Sequence, residues 1–409
     1  MITENNRDIR ILRELAKEVN EIAGKRVQNE RRELWRKHNS LQFTRPLIYV
    51  RWIATVWEIL GPQLQCEDPF FRQHELTLRE KIFQDSTGDD YIIEPWITQR
   101  ATRITHPEGH WGVRFGRVPS PEPRGAWKFD PPLKKLDDIE KLIAPRHMID
   151  EQDTARNVSR LSEAVGDILQ VNVDRSPAFN ADLSYDLANL RGLEQIMWDM
   201  LDNPQWLHRL MGFLRDGILA VHEQAERAGD WRLADHENQA MPYSLELPDP
   251  RANSEPVPRH RLWCFMLAQE MAQVSPEMHE EFVLRYQMPI MEAFGLVSYG
   301  CCEDLTRKIT YLKKIPNLRR IAVTPWADVR SCAEQIGQDY VLSWRPNPAQ
   351  MVCCGFQPDY IRKTVRDAME ASKGCHVDIT LKDIETVQGH PERLAEWARI
   401  VRSIADDYA

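Results

Sequence analysis

From residue 167 to the end of the chain, short apolar runs of strand length alternate with amphipathic helical patterns. The helical pattern at 276–294 opens with Ser275 as N-cap and Pro276 at the first helical position, both typical of a helix start. Repeated strand–helix units of this spacing indicate a parallel sheet with right-handed crossovers. The predicted strands of this region span residues 167–174, 231–237, 296–299, 318–324, 339–344 and 376–381.

Two further strand-like runs, at 46–52 and 90–96, bring the candidate strands to eight in a chain of 409 residues. This length and strand number favour an α/β fold, a (β/α)8 TIM barrel. A doubly wound sheet is the alternative, but no glycine-rich phosphate-binding pattern follows any predicted strand.

The chain is expected to form one barrel, residues 41–409, preceded by a helical arm, residues 1–40. Residues 8–36 carry one apolar stripe, so the arm either covers one end of the fold or embraces a second copy in a homodimer. Covering is the simpler expectation. An irregular segment at about 105–132, rich in proline and glycine, is predicted as a long insertion of the kind that often serves function or assembly.

Composition excludes several classes of protein. The net charge of −9 argues against non-specific nucleic-acid binding, and no apolar run is long enough to span a membrane. The first residues lack the apolar core of a signal peptide, and eight cysteines without a CxxC pair suit a reducing cytoplasm. A zinc ribbon or a standard iron–sulfur cluster is therefore not expected. A catalytic metal with ligands from distant strands stays open.

The segment 296–304 carries the strongest chemical signal. An apolar run is followed by a glycine, then Cys301 and Cys302, then Glu303 and Asp304. A helical pattern follows at once, and a helix N-terminus favours thiolates, so these cysteines are predicted to be reactive. The alternative is a pair of buried, inert cysteines.

The C-terminal ends of barrel strands line the active site, so the residues there form a candidate ring. Such a mixture of acids, thiols, cations and aromatic rings can bind a metal, transfer protons or hold an anionic substrate. The ring comprises Asp174, Arg175, Asp235, His236, Glu237, Tyr299, Cys301, Cys302, Glu303, Trp326, Trp344, Arg345, Lys382 and Asp383.

Plainer interpretations of the same residues stay open. Asp174 could cap a helix or pair with its neighbour, and the segment around Glu237 could be a solvated loop. Lys382 and Asp383 could form an ordinary surface ion pair, which contributes little to stability. The second cysteine pair, at 353–354, follows apolar residues and is expected to pack rather than react.

Several segments resemble the uroporphyrinogen decarboxylase superfamily over about residues 167–405. The resemblance implies a (β/α)8 barrel. The superfamily holds decarboxylases and also zinc-dependent methyltransferases that pass methyl groups to or from corrinoid proteins or thiols. The matching features are the SPEMHEEF helix start at 275–282 with Pro289, the Tyr-Gly-Cys-Cys-Glu strand end at 299–303, the Asn-Pro turn that closes 328–348, and the Ser-Tyr-Asp helix pair at 184–211.

The chain departs from both branches of that family. The decarboxylase's N-terminal RQAGRY motif has no counterpart here, which argues against heme biosynthesis. Cys301 occupies the position of a family zinc ligand, but Tyr299 stands where the histidine ligand would be. Lys382 or Asp383 replaces the later cysteine. Zinc in the usual ligand set is not expected, and a metal held by Cys301 with a carboxylate or His236 stays open.

The resemblance and the aromatic residues together favour a methyltransferase that moves a methyl group from a methoxylated aromatic compound to the corrinoid of a separate protein. Protonation of the departing phenolate is assigned to Glu237, Glu303 or Lys382, and its activation to Cys301 or a bound zinc. A decarboxylase, with Asp174 beside the ring and Arg175 or Arg345 on the carboxylate, and a non-catalytic corrinoid-binding protein are the alternatives. The predicted substrate-binding residues are Tyr299, Trp344, Arg345, Trp326, His236 and Asp383.

Overall fold

A computed structural model describes residues 2–122, 125–178 and 181–408 of the chain. Six parallel strands form one sheet in the order β1-β10-β9-β8-β7-β6, and this sheet curls into half of a barrel. The strands are β1 Leu47–Val50, β2 Trp96–Arg100, β3 Gly116–Val118, β4 Lys128–Asp130, β5 Gln170–Asp174, β6 Trp263–Met266, β7 Leu296–Tyr299, β8 Leu318–Val323, β9 Val341–Trp344 and β10 His376–Leu381.

The remaining strands stand apart from the large sheet. Strands β2 and β5 pair in parallel, while β3 and β4 form an antiparallel hairpin inside the predicted insertion, two of whose residues, 123–124, lie outside the described part of the chain. The predicted strands at β1, β5 and β7 to β10 are confirmed, whereas β6 was not predicted. The structure is thus α/β and resembles a TIM barrel, but no continuous eight-stranded closure links the described strands.

Two predicted strands are wrong in place or in kind. The strand expected at 90–96 begins only at Trp96. The segment 231–237 is not a strand, because the carboxylate of Asp235 accepts a hydrogen bond from the backbone N–H of Arg232 at 2.7 Å and closes a turn. An Asp that bonds to its own local backbone competes with ladder formation, so the chain bends where the apolar pattern suggested extension.

Helices cover the sheet, and several begin where an aspartate caps them. Asp68 accepts from Phe70 N at 2.9 Å, and Asp328 accepts from Ser331 N at 3.0 Å. The second cap fixes the start of the helix after β8 at Val329. The helices are α1 Ile2–Ala23, α2 Arg26–Asn39, α3 Val56–Ile59, α4 Pro69–Thr87, α5 Glu151–Val165, α6 Ser184–Arg191, α7 Leu193–Asp202, α8 Pro204–Ala228, α9 Pro276–His279, α10 Arg285–Glu292, α11 Ile309–Leu312, α12 Val329–Ile336, α13 Pro358–Ala371 and α14 Glu392–Ala405.

The N-terminal arm consists of two helices that cover the fold. Leu12 and Val19 of α1 are fully buried in an apolar cluster with Leu78 of α4 and Leu161 of α5. Helix α2 docks by polar contacts as well, since His38 reaches into the sheet. Burying this many large apolar side chains stabilises the arm against the body by several kcal/mol, at about 25 cal/mol for each Å² of apolar surface removed from water.

A buried polar cluster joins α2 to the sheet. Arg320 of β8 donates to the Asp378 carboxylate at 2.7 Å, and Ser343 donates to its other oxygen at 2.8 Å. His38 lies 3.1 Å from the same carboxylate. Although burial opposes ionisation, Arg320 and His38 hold the pKa of Asp378 well below its ordinary value, while burial lowers the pKa of His38. We name His38, Arg320, Ser343 and Asp378 the sealed cluster.

Among the described residues, no helix combines the length and the apolar character needed to cross a bilayer.

Candidate active site

A glycine turn after β7 delivers the two adjacent cysteines. Gly300 has a φ of +101°, in the left-handed region that favours glycine. A Cβ at this position would lie 2.6 Å from Leu305 Cδ1 and 2.9 Å from Ala322 Cβ, so a larger residue would displace both neighbours. The turn therefore fixes where Cys301 leaves the sheet.

The two thiols surround one lysine. The Sγ atoms of Cys301 and Cys302 are 3.5 Å apart, and Lys382 Nζ lies 3.3 Å from the first and 3.2 Å from the second. The same ammonium pairs with Asp383 Oδ2 at 2.7 Å, and that carboxylate lies 3.5 Å from Cys302 Sγ. We name Cys301, Cys302, Lys382 and Asp383 the thiol cluster.

Sheet curvature brings this cluster together. Strands β7 and β10 are three steps apart in the sheet, so flat strands would hold their ends about 14 Å apart. Lys382 directly follows β10 and yet its ammonium contacts Cys301. Arg345, directly after β9, donates to the carbonyl oxygen of Cys301. The predicted convergence of Cys301, Arg345, Lys382 and Asp383 is therefore observed.

Two residues of the cluster's wall adopt backbone conformations that side chains rarely take. Asp383 has a φ of +57° and Gln239 a φ of +53°. Gln239 Nε2 donates to Cys301 Sγ at 3.6 Å. Strained non-glycine residues gather at functional sites, where the surrounding structure holds them. Sequence reasoning missed Gln239, because it lies in an irregular loop and no local signal marks it.

The cluster holds its charge on Cys301. A hydrogen bond from Cys302 lowers the pKa of Cys301 to about 5, and the positive charges of Lys382 and Arg345 act in the same direction against burial. The same hydrogen bond and burial raise the pKa of Cys302. Although burial and Arg345 oppose its charge, contact with the thiols and Asp383 raises the pKa of Lys382. One thiolate and one thiol thus share the ammonium.

The predicted source of thiol activation is wrong. The helix after the cysteines, α11, begins only at Ile309, so its N-terminus does not adjoin Cys301. Activation comes instead from the neighbouring thiol and from two cations that arrive from other strands.

The catalytic role predicted for Glu303 is also corrected. Its two carboxylate oxygens accept backbone N–H bonds from Cys301 and Ala268, each at 2.8 Å, and the residue is buried. Both oxygens are thus engaged in fixing the turn, so Glu303 positions the cysteine and is not free to protonate a substrate.

A second group of predicted residues lines a separate cavity of about 600 Å³. Asp174, at the end of β5, lies 3.5 Å from Arg100 Nε and 3.6 Å from Arg103 Nη2. Two aromatic rings, Phe70 and Trp96, form part of the wall. The remaining lining residues predicted from sequence are Asp235, His236 and Glu237. We name this space the acid cavity.

Two acids of this cavity, Asp235 and Glu237, have raised pKa values. Burial and the charge of Asp174 raise the pKa of Asp235 to about 8, and the same two causes raise the pKa of Glu237. Glu237 reaches solvent inside the cavity, and no described residue hydrogen-bonds its carboxyl group. Burial lowers the pKa of His236 to about 4, and its Nδ1 accepts from Trp263 N at 3.2 Å. Glu237 is therefore the free acid of the cavity.

Three aromatic residues predicted to bind substrate face elsewhere. Tyr299 has no exposed surface and bonds to His279 and Gln287 at 3.0 and 2.8 Å. Trp344 is buried, and it lines a cavity whose other walls are α12, α13 and the segments that follow β8 and β9. Trp326 is 72% exposed. The role predicted for Tyr299 and Trp344 is corrected, because strand alternation turns both toward the helix layer.

The thiol cluster does not fit zinc. Lys382 places a positive charge within 3.3 Å of both sulfurs, where it would repel a bound cation. Across the described ranges, no set of three or more His, Cys, Asp or Glu side chains is arranged to hold a metal ion. His236 belongs to the acid cavity and bonds to Trp263, so no observed contact joins it to Cys301.

Comparison with known proteins gives information on the fold only. No protein-family profile and no curated protein sequence matches the chain. Its fold is similar to that of a methyltransferase from Methanosarcina mazei, with a TM-score of 0.51 over 92% of this chain and 98% of that protein. The two sequences are 10% identical, so the likeness shows a shared fold and leaves the activity open.

Proposed function

We propose that this chain is a methyltransferase that moves a methyl group from a methoxylated aromatic compound to a corrinoid carried by a separate protein. The similarity of fold to a methyltransferase over nearly the whole chain is the observation that carries the reaction class. The acid cavity supports the substrate class. It has a volume of about 600 Å³, two aromatic wall residues and an acid whose pKa is raised.

Glu237 is assigned as the proton donor to the departing phenolate. Its carboxyl group is free, and burial and the charge of Asp174 favour its protonated form. A general acid beside the leaving oxygen typically accelerates such a step 10²- to 10⁴-fold. The corrinoid supplies the cobalt nucleophile that accepts the methyl group. Arg100, on the cavity wall beside Asp174, is suited to bind a carboxylate on the aromatic ring.

The thiol cluster is not the source of the proton for the departing phenolate. Each of the three N–H donors of Lys382 has a partner in Cys301, Cys302 or Asp383. All three N–H donors of Lys382 are therefore engaged. Of the residues predicted to protonate the departing phenolate, Glu237 remains free to do so. Cys301 lies outside the acid cavity, and its thiolate stays available for chemistry of its own.

The decarboxylase alternative assigned the substrate carboxylate to Arg175 or Arg345. Arg175 pairs with Glu151 at 2.6 Å and with Asp230 at 2.5 Å. Arg345 is buried and donates to the Cys301 carbonyl group. Neither arginine lines the acid cavity, so no observation favours carbon dioxide release over methyl transfer.

The test is a two-product assay with purified protein. A methoxybenzoate and chemically reduced cobalamin are supplied, and methylcobalamin and the hydroxybenzoate are measured together. Equal amounts of both products are expected. Glu237→Gln should slow transfer at least about 100-fold at neutral pH, whereas Glu194→Gln on the exposed surface of α7 should leave it unchanged.

Two results would contradict the proposal. Absence of methylcobalamin with folded wild-type protein across methoxylated benzoates, phenols and amines would reject methyl transfer from this substrate class. Carbon dioxide release from an aromatic acid, without methylcobalamin, would instead establish the lyase.

A further inference from the structure

We propose that Cys301 and Cys302 form a redox-active dithiol, in which a small hydroperoxide oxidises Cys301 and Cys302 then closes a reversible disulfide. The inference rests on the geometry of the thiol cluster alone and stands whether or not the chain transfers methyl groups. Its first support is distance, because the sulfurs are 3.5 Å apart and a lysine ammonium touches both.

The neighbouring charged groups give the two sulfurs different chemical roles. Cys301 receives the N–H of Gln239 and lies near both Lys382 and Arg345, so the negative charge is stabilised there. Cys302 faces the carboxylate of Asp383 at 3.5 Å, which favours its protonated form. A thiolate is the nucleophile in thiol oxidation, and a neighbouring thiol is the usual resolving group. Cys301 therefore attacks and Cys302 resolves.

Access fits a small oxidant. Cys301 is 8% exposed and Cys302 is exposed, so hydrogen peroxide can reach the pair where a bulky reagent meets mainly Cys302. Lys382 lies beside the attacking sulfur, where its positive charge stabilises the hydroxide that leaves the peroxide.

The chemistry balances in two steps. The Cys301 thiolate attacks one peroxide oxygen, the O–O bond breaks, and the departing hydroxide takes a proton to become water, which leaves a sulfenic acid. The Cys302 sulfur then attacks the Cys301 sulfur, the S–O bond breaks, and the thiol proton leaves with the hydroxide as a second water. Both sulfurs are oxidised and the peroxide is reduced. A dithiol reductant returns the pair to its starting state.

The disulfide is expected to be easily reduced. Adjacent Cα atoms across a trans peptide are about 3.8 Å apart, below the roughly 4.4 Å at which ordinary disulfides begin. Strained disulfides have higher reduction potentials and serve labile or regulatory roles. The strain therefore favours a bond that forms under oxidation and opens readily.

The chain contains its own matched control. Cys353 and Cys354 are also adjacent, and they too combine a buried with an exposed thiol. In the described structure, no lysine or arginine donates a hydrogen bond to either sulfur. Burial raises the pKa of Cys353, so the buried thiol of this pair is not activated. If adjacency in the sequence alone set reactivity, the two cysteine pairs would be oxidised equally. The contacts within the thiol cluster instead predict that its cysteines are oxidised much faster.

The experiment maps oxidation by residue. Full-length protein is exposed to hydrogen peroxide at pH 6, free thiols are alkylated, and peptides are read by tandem mass spectrometry. The 301–302 peptide should lose two hydrogens and resist alkylation until dithiothreitol is added, while the 353–354 peptide is alkylated throughout. Cys302→Ser should leave a sulfenic acid on Cys301 that dimedone traps.

The pH dependence of the oxidation rate shows whether Lys382 stabilises the thiolate or only the fold. Lys382→Met should slow Cys301 oxidation about tenfold at pH 6, where most of the thiolate is lost, and little at pH 9. Lys382→Arg should restore most of the rate. Circular dichroism confirms that each variant is folded.

Equal oxidation of the two cysteine pairs would overturn the proposal. So would an oxidation rate that is the same at pH 6 in the wild type and in Lys382→Met, or a failure of Cys302→Ser to accumulate sulfenic acid.

Discussion

Strand β10 carries a charged cluster near each end, and the two clusters use similar groups for different purposes. The sealed cluster joins Asp378 to Arg320 with both side chains almost fully buried and paired. The thiol cluster joins Lys382 to Asp383, but the Asp383 side chain is 61% exposed and Cys302 is open to solvent. A buried cation and anion hold helices and sheet together at one end. At the other end, the exposure of Asp383 and Cys302 lets small molecules reach the cluster from solvent.

The largest effect is expected from breaking the sealed cluster. Asp378→Ala leaves the Arg320 guanidinium buried without its partner, and such a change typically costs about 3–5 kcal/mol of unfolding free energy. Urea denaturation followed by circular dichroism measures it. Asp367→Asn, which breaks an exposed pair with Lys363, is the control and should leave stability unchanged within error. Equal effects of the two changes would remove the distinction between sealed and open clusters.

As the pH falls, the sealed cluster should lose stability before the carboxylates of the protein are protonated. Burial lowers the pKa of His38 below its ordinary 6.5, so as the pH falls below 6.5 the unfolded chain binds this proton first. The stabilisation is complete above pH 6.5 and declines toward the folded pKa, by at most about 1.4 kcal/mol per pH unit. Asp378, whose pKa is also depressed, adds to the loss below pH 3.8. His38→Gln should flatten the first part of this decline in a series of denaturation curves.

Removing the lysine of the thiol cluster should cost less. In Lys382→Met the thiolate can take up a proton, so no charge is left buried and unpaired, and a loss of about 1–2 kcal/mol is expected. The chemical effect is larger, since loss of a neighbouring cation should raise the Cys301 pKa by about 1–3 units. A stability loss as large as that of Asp378→Ala would mean that the two clusters serve the same structural purpose.

Local signals in the sequence predicted most elements of the fold. Apolar runs marked β7 to β10, and proline with serine marked the start of α9. They failed at 231–237, where Asp235 bonds to a nearby backbone N–H and outweighs the apolar pattern. They also could not show that the sheet leaves β2 and β5 apart from the large sheet, because pairing between distant strands depends on packing and not on local pattern.

The sequence also predicted only part of the candidate site. Strand ends correctly gathered Cys301, Arg345 and Lys382, because barrel geometry places such ends together. Tyr299 was misjudged, since strand alternation turns it to the helix layer, and Glu303 was misjudged because its partner Ala268 is remote in sequence. These errors concern the direction of side chains, which no residue pattern at a strand end reveals.

The central claim is that strand ends β7, β9 and β10 converge to hold Cys301 as a thiolate. The most direct test follows alkylation of Cys301 by iodoacetamide as a function of pH, with fragment ions separating it from Cys302 and with Cys354 as the internal reference. The structure predicts a midpoint near pH 5 for Cys301. A midpoint within one unit of the ordinary cysteine value of about 8.5, or one equal to that of Cys354, would contradict it.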